Sequence, residues 1–205
     1  MGFYRERVLP RLHDRTLDRD SVRRVRERAC APLHGTVVEV GFGSGLNVAH
    51  YPPAVTRVRA IEPSAVARRL AGPRVTAAAV PVDFDGLDGQ RLPLPDASVD
   101  CALLMLTLCS IPDQPAAARE LYRVLVPGGF VSYAEHGASP DAAVARWQHR
   151  LNGLNRRVSG CRLDTATPAV LRAAGFELTG EHDGYLPGAP RWSAYLYEGI
   201  ARKAG

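Results

Sequence analysis

The chain has 205 residues, 46% of them apolar, and a formal net charge of +5, which is room for one domain with a substantial core. Residues 1–35 hold nine arginines against five acidic residues, and this spread-out excess without interleaved aromatics reads as a solvated helix face, so no nucleic-acid partner is expected. The four cysteines, Cys30, Cys101, Cys109 and Cys161, form no CxxC pair, which argues against a zinc site or a disulfide framework, and no run approaches the roughly 18 apolar residues of a membrane span.

Free thiols and a charged start make the cytoplasm the expected location. The expectation is one domain over 1–205, with a helical segment at 1–35 and an α/β core from 36 onward. In the first part, Val22, Val25, Ala29 and Leu33 follow Asp20-Ser21 at helical spacing, predicting a helix docked on the core. "TVVEV" (36–40) reads as a buried strand, followed by a glycine turn and a short helix stopped by Pro52-Pro53. "VRAI" (58–61) is a second strand, and residues 64–71 a helix ended by Gly72-Pro73. A third strand is expected near 79–84, followed by a loop over 85–98 rich in Asp, Gly and Pro; such a loop in a compact domain is often a binding loop.

"VDCALLML" (99–106) is the most apolar run and reads as the central strand. Residues 114–125 form a helix closed by Pro127-Gly128-Gly129, and 130–135 a fifth strand. Strands alternating with helices predict a doubly wound parallel sheet. Further helices are expected over 144–155, with Val144, Trp147, Leu151 and Leu154 on one stripe, and over 167–176. Strands 176–182 and 192–201, with no helix between them, read as an antiparallel pair.

The question is what Gly41, Gly43 and Gly45 do after the first strand. In an open α/β sheet that position is where ligands bind. A plain turn needs one glycine, and a dinucleotide fingerprint would read GxGxxG where this chain has GxGxG. Taken with "AIEPS" (60–64), "LDGQRLPLPDASVD" (87–100) and "RVLVPGGFVSYAEH" (123–136), the stretch "VVEVGFGSG" (37–45) resembles the class I S-adenosylmethionine (SAM) methyltransferases, and the likeness runs from about Val37 to the C-terminus.

The resemblance implies a Rossmann-like seven-stranded sheet, mostly parallel with an antiparallel C-terminal strand, and SAM as cofactor. Gly41, Phe42, Gly43, Ser44 and Gly45 would surround its methionine and ribose portion, with Glu39 helping to hold the amino end. Glu62, followed by Pro63 and Ser64, would accept from the ribose hydroxyls. Asp88, Gly89 and Gln90 would meet the adenine, and Leu106 would border the donor at the end of the fourth strand.

"TLCSIPD" (107–113), "AEHGASP" (134–140), the Trp147 helix and "SGCRL" (159–163) are most similar to the alkyl-thiol methyltransferase group. That likeness implies a small apolar acceptor, a thiol by preference. Quinone and lipid C-methyltransferases, which share the first four stretches, and a noncatalytic SAM-binding protein remain as alternatives. His136 is the candidate for orienting or deprotonating the acceptor, or else it bonds backbone or solvent. Trp147 either roofs the acceptor pocket or belongs to the core. Cys109 and Tyr185 could line that pocket, and Cys161 is a packing residue. No metal site is indicated, and oligomeric state is not readable.

Overall fold

The computed structural model describes residues 4–205. It contains one sheet of seven strands. These are β1 (Gly35–Val40), β2 (Val55–Ile61), β3 (Val82–Gly86), β4 (Val99–Met105), β5 (Leu125–His136), β6 (Glu177–Tyr185) and β7 (Tyr195–Arg202). Their order is β3-β2-β1-β4-β5-β7-β6, with β7 antiparallel to both β5 and β6 and all other pairs parallel. The order reverses between β1 and β4, so their carboxyl ends open the crevice in which doubly wound sheets bind ligands.

Side chains alternate across the sheet as the period of two requires. On one face Val38, Val40, Ala102, Leu104, Val131 and Tyr133 pack under α4 (Gln114–Val124) and α6 (Thr167–Ala173) through Leu121, Val124 and Leu171. On the other, Val37, Cys101, Leu103, Met105, Phe130 and Ala134 meet Val22, Val25, Ala29 and Cys30 of α2 (Asp20–Cys30). The docked N-terminal helix is thus present, and α1 (Leu9–Thr16) precedes it.

Several boundaries differ from expectation. The short helix before Pro52 is only a 3-10 turn at Val48–His50, because the Asn47 side chain is drawn down to Glu39 and the prolines follow at once. Helix α3 (Ala65–Thr76) runs through Gly72-Pro73; Pro73 forfeits one ladder bond, while buried Ala71 and partly buried Val75 hold the last turn on the core. Strand β5 begins five residues early and carries Pro127-Gly128-Gly129 as an irregularity opposite Val99–Cys101, a position where a strand tolerates proline. Strand β3 starts at Val82 and runs to Gly86, and β6 runs on to Tyr185. Residues Arg191–Ala194 form one helical turn, α7, before β7.

The largest correction concerns α5 (Ala142–Val158). Its apolar stripe faces outward: Trp147 and Leu154 are 56% and 61% exposed, whereas Gln148 is 1% exposed. The reason is backbone demand in the preceding loop. Gln148 accepts from Ser139 N–H at 2.8 Å and donates to the Gly137 carbonyl at 3.0 Å, satisfying two groups that burial would otherwise orphan.

Candidate functional site

The side of the crevice expected to take the donor is built from backbone. Gly43 has φ +59° and an open Cβ direction whose nearest atom is the Gly41 carbonyl oxygen at 3.8 Å. A side chain there would be conformationally strained and would fill the crevice. The flanking glycines answer to protein neighbours instead. A Cβ on Gly41 would lie 2.0 Å from Thr107 Oγ1, and one on Gly45 3.2 Å from the Phe42 ring.

Glu62, 6% exposed at the end of β2, accepts from Gly43 N–H and Ser64 N–H, both at 2.7 Å. Burial pushes its carboxyl up, and the two amides oppose that shift. A carboxylate has about four acceptor positions and two are taken here, a count that leaves room for a vicinal diol. Ser64 itself caps α3 through Oγ, and Pro63 is exposed beside it. The open Cβ direction at Gly43 and the half-used Glu62 therefore fit the ribose and methionine parts of SAM.

Other residues expected at the donor are engaged elsewhere. Glu39 is 1% exposed, and its two oxygens accept from Asn47 (2.7 Å) and Tyr51. Burial raises its carboxyl to about 7. It braces the glycine loop from beneath, and Arg26 of α2 donates to the same Asn47 side chain, so the expected grip on the amino end is replaced by a buried network. The Phe42 ring points into the core against Phe84, centroids 5.3 Å apart. Ser44 offers its carbonyl to Arg74 Nη1 at 2.9 Å, and the same nitrogen donates to Asp14 Oδ1 of α1 at 2.8 Å.

On the adenine side, Asp88 is exposed and its Oδ1 accepts from the backbone and side-chain amides of Gln90. Gln90 in turn accepts from Asp113 N–H. Gly89 is a packing glycine, since a Cβ there would come within 2.6 Å of Val40 Cγ1. Leu106, past the end of β4, has φ +56°, rare for a branched apolar residue. Such strain concentrates at functional sites, and Leu106 lines the neighbouring cavity.

That cavity, about 250 Å³, has mostly apolar walls supplied by Leu17, Met105, Leu106, Leu163, Leu186 and Leu196. His136, Cys109 and Cys161 also face it. His136 is 8% exposed at the end of β5, its Nδ1 3.4 Å from Cys161 Sγ and its Nε2 buried without a partner. Glu135, fully buried beside it, accepts from Thr107 N–H (2.7 Å) and Cys109 N–H (3.4 Å) and so fixes the turn after β4. Burial lifts the Glu135 carboxyl to about 7.

Two expected lining residues lie elsewhere. Trp147 belongs to a shallow surface pocket with Val144, Leu151, Arg191 and Trp192, for the reason given for α5. The Tyr185 hydroxyl pairs with Ser139 Oγ at 2.6 Å, and its neighbour Leu186 reaches the cavity instead. Sequence reasoning missed His13, Leu17, Asn155 and Ser159 on the cavity wall. The one available signal was Leu17 and Val22 standing apolar in an arginine-rich tract. Among the described residues no cluster of three or more His, Cys, Asp or Glu side chains could hold a metal, and no helix is long and apolar enough to cross a membrane.

Comparisons with known proteins agree with this architecture. The methyltransferase domain family model matches residues 38–133. Thiol S-methyltransferase TMT1A of Homo sapiens is 32% identical over 155 residues, 69% of this chain and 59% of that protein. The 2-methyl-6-phytyl-1,4-hydroquinone methyltransferase of a Synechocystis strain is 31% identical over 192 residues, 85% of this chain and 57% of that protein. The chain thus spans about three-fifths of the length of these relatives. The crystal structure of the [4+2]-cyclase SpnF superposes with a TM-score of 0.72 at 22% identity, covering 89% of this chain and 81% of that one; that is a likeness of fold.

Proposed function

We propose, from the premise that the chain has the class I methyltransferase fold and matches the methyltransferase domain model over residues 38–133, that it transfers a methyl group from SAM to a small apolar acceptor, a thiol by preference. SAM, when bound, supplies the activated methyl on its sulfonium. Glu62 would hold the ribose with its two remaining acceptor positions, and the bare backbone at Gly43 would let the donor lie close. Leu106 would separate donor from acceptor.

The observation that carries the acceptor half is His136. Its unpartnered Nε2 stands in an apolar cavity, placed to accept a proton from an acceptor X–H. The apolar walls limit hydration of the nucleophile, and confinement supplies alignment, worth effective molarities of about 10⁵ M and above. The 32% identity to a thiol S-methyltransferase supports a thiol. A quinol acceptor is the second reading, favoured by the longer 192-residue match. The same fold serves a cyclase, so fold alone does not carry the chemistry.

Calorimetry with SAM and S-adenosylhomocysteine, then a labelled-methyl screen over alkanethiols, quinols and amines, tests this reading. Product is expected with alkanethiols, and His136→Ala should lower turnover by about a hundredfold and flatten its pH profile. Binding without product across all three classes would leave a SAM-binding protein and end the enzymatic reading.

A further inference from the structure

The cavity holds a thiol that the proposed reaction does not use. Cys161 lies between α5 and α6, and its Sγ is 3.4 Å from His136 Nδ1. Cys109, from the turn after β4, lines the same cavity. The loop carrying Cys161 is pinned from both sides. Asn155 donates to the Cys161 carbonyl at 2.9 Å, and Arg162 N–H to the Cys109 carbonyl at 2.9 Å. Three segments far apart in sequence thereby converge on one sulfur that faces the cavity.

The other three cysteines are buried, and burial pushes the Cys30 and Cys101 thiols up. Cys109 is also raised, by Cys161 beside it and by burial. Cys161 is partly exposed and moves the opposite way, to about 6, drawn down by its neighbours Cys109 and His136 against its own burial. Asp164 opposes that shift, Glu135 stands behind Cys109, and His13 lines the same cavity.

We propose that Cys161 is a nucleophilic thiol built into this cavity, a site of covalent S-alkylation whose reagents are small, uncharged, apolar electrophiles. The thiol proton leaves to solvent, and the thiolate accepts a hydrogen bond from His136 Nδ1–H at 3.4 Å, the tautomer that keeps the lone pair on Nε2. With an iodoacetamide, the sulfur lone pair forms an S–CH₂ bond as the C–I bond breaks, and iodide departs with its electron pair. Leu106, Leu163, Leu186 and Leu196 select apolar reagents over charged ones. Neither Glu62 nor Gly43 lines this cavity.

The test uses the full chain, with iodoacetamide and its N-hexyl analogue, and peptide mass spectrometry across about pH 5 to 9. It needs neither SAM nor turnover, so it is independent of the methyl-transfer reading. At neutral pH Cys161 should label at least about tenfold faster than the other three cysteines, with a midpoint below that of an ordinary thiol near 8.5. The hexyl reagent should be the faster of the two in the folded chain and lose that advantage in urea. His136→Asn and Cys109→Ala should each raise the midpoint; if one fails to fold, the other carries the test. A midpoint in the ordinary thiol range, or one unmoved by the variants, overturns the proposal.

Discussion

The two halves of the crevice are made differently. The half proposed for the donor is short-range: Gly41 to Gly45, Glu39 beneath them and Glu62 fall within 24 consecutive residues, and its contacts run from backbone amides to one carboxylate. The acceptor half draws residues from α1, the turn after β4, the end of β5, the α5–α6 loop and the approach to β7. Its contacts are made by side chains across the sheet edge. A recognition surface of main chain tolerates little change, whereas one of scattered side chains can be re-specified position by position.

The strongest way to break this comparison is at Glu62. Glu62→Ala removes the acceptor for the ribose and for two loop amides, and charged hydrogen bonds contribute about 1.5–3 kcal/mol each. SAM affinity by calorimetry should fall by about a hundredfold or more, with Cys161 alkylation unchanged. Equal damage to both halves would show that they do not act separately.

A comparable effect, confined to stability, is expected at Glu135. Its folded value of about 7 lies above the ordinary glutamate range, so the folded state keeps a proton that the unfolded chain releases between about pH 4.5 and 7. The contribution is whole below that window and is lost as pH rises through it, on the order of 3 kcal/mol across the interval. Urea unfolding at a series of pH values should show Glu135→Gln losing this slope while the similar contribution of Glu39 persists. The smallest effect belongs to Trp147. Trp147→Ala should change stability by no more than about 0.5 kcal/mol and leave acceptor kcat/KM as it was. A tenfold drop there would return this side chain to the site.

The same division explains what could be read from the amino acids alone. The strands, the glycine turn after the first and the carboxylate at the end of the second follow from local pattern, because apolar runs, turn residues and strand ends act on near neighbours. Trp147 misled because amphipathic spacing gives a stripe without saying which way it faces; the backbone groups of residues 137 and 139 decided that, through Gln148. Phe42 and Gly89 sit inside motifs but serve packing, a distinction spacing does not carry. The His136–Cys161 pair spans 25 positions and a helix, and only the tertiary fold brings it together.

The Arg74 bridge has a mechanical meaning. A single guanidinium nitrogen directs one hydrogen to Asp14 on the N-terminal segment and another to the main chain at Ser44, so one side chain fastens the first helix to the glycine turn and its loss would release both ends together.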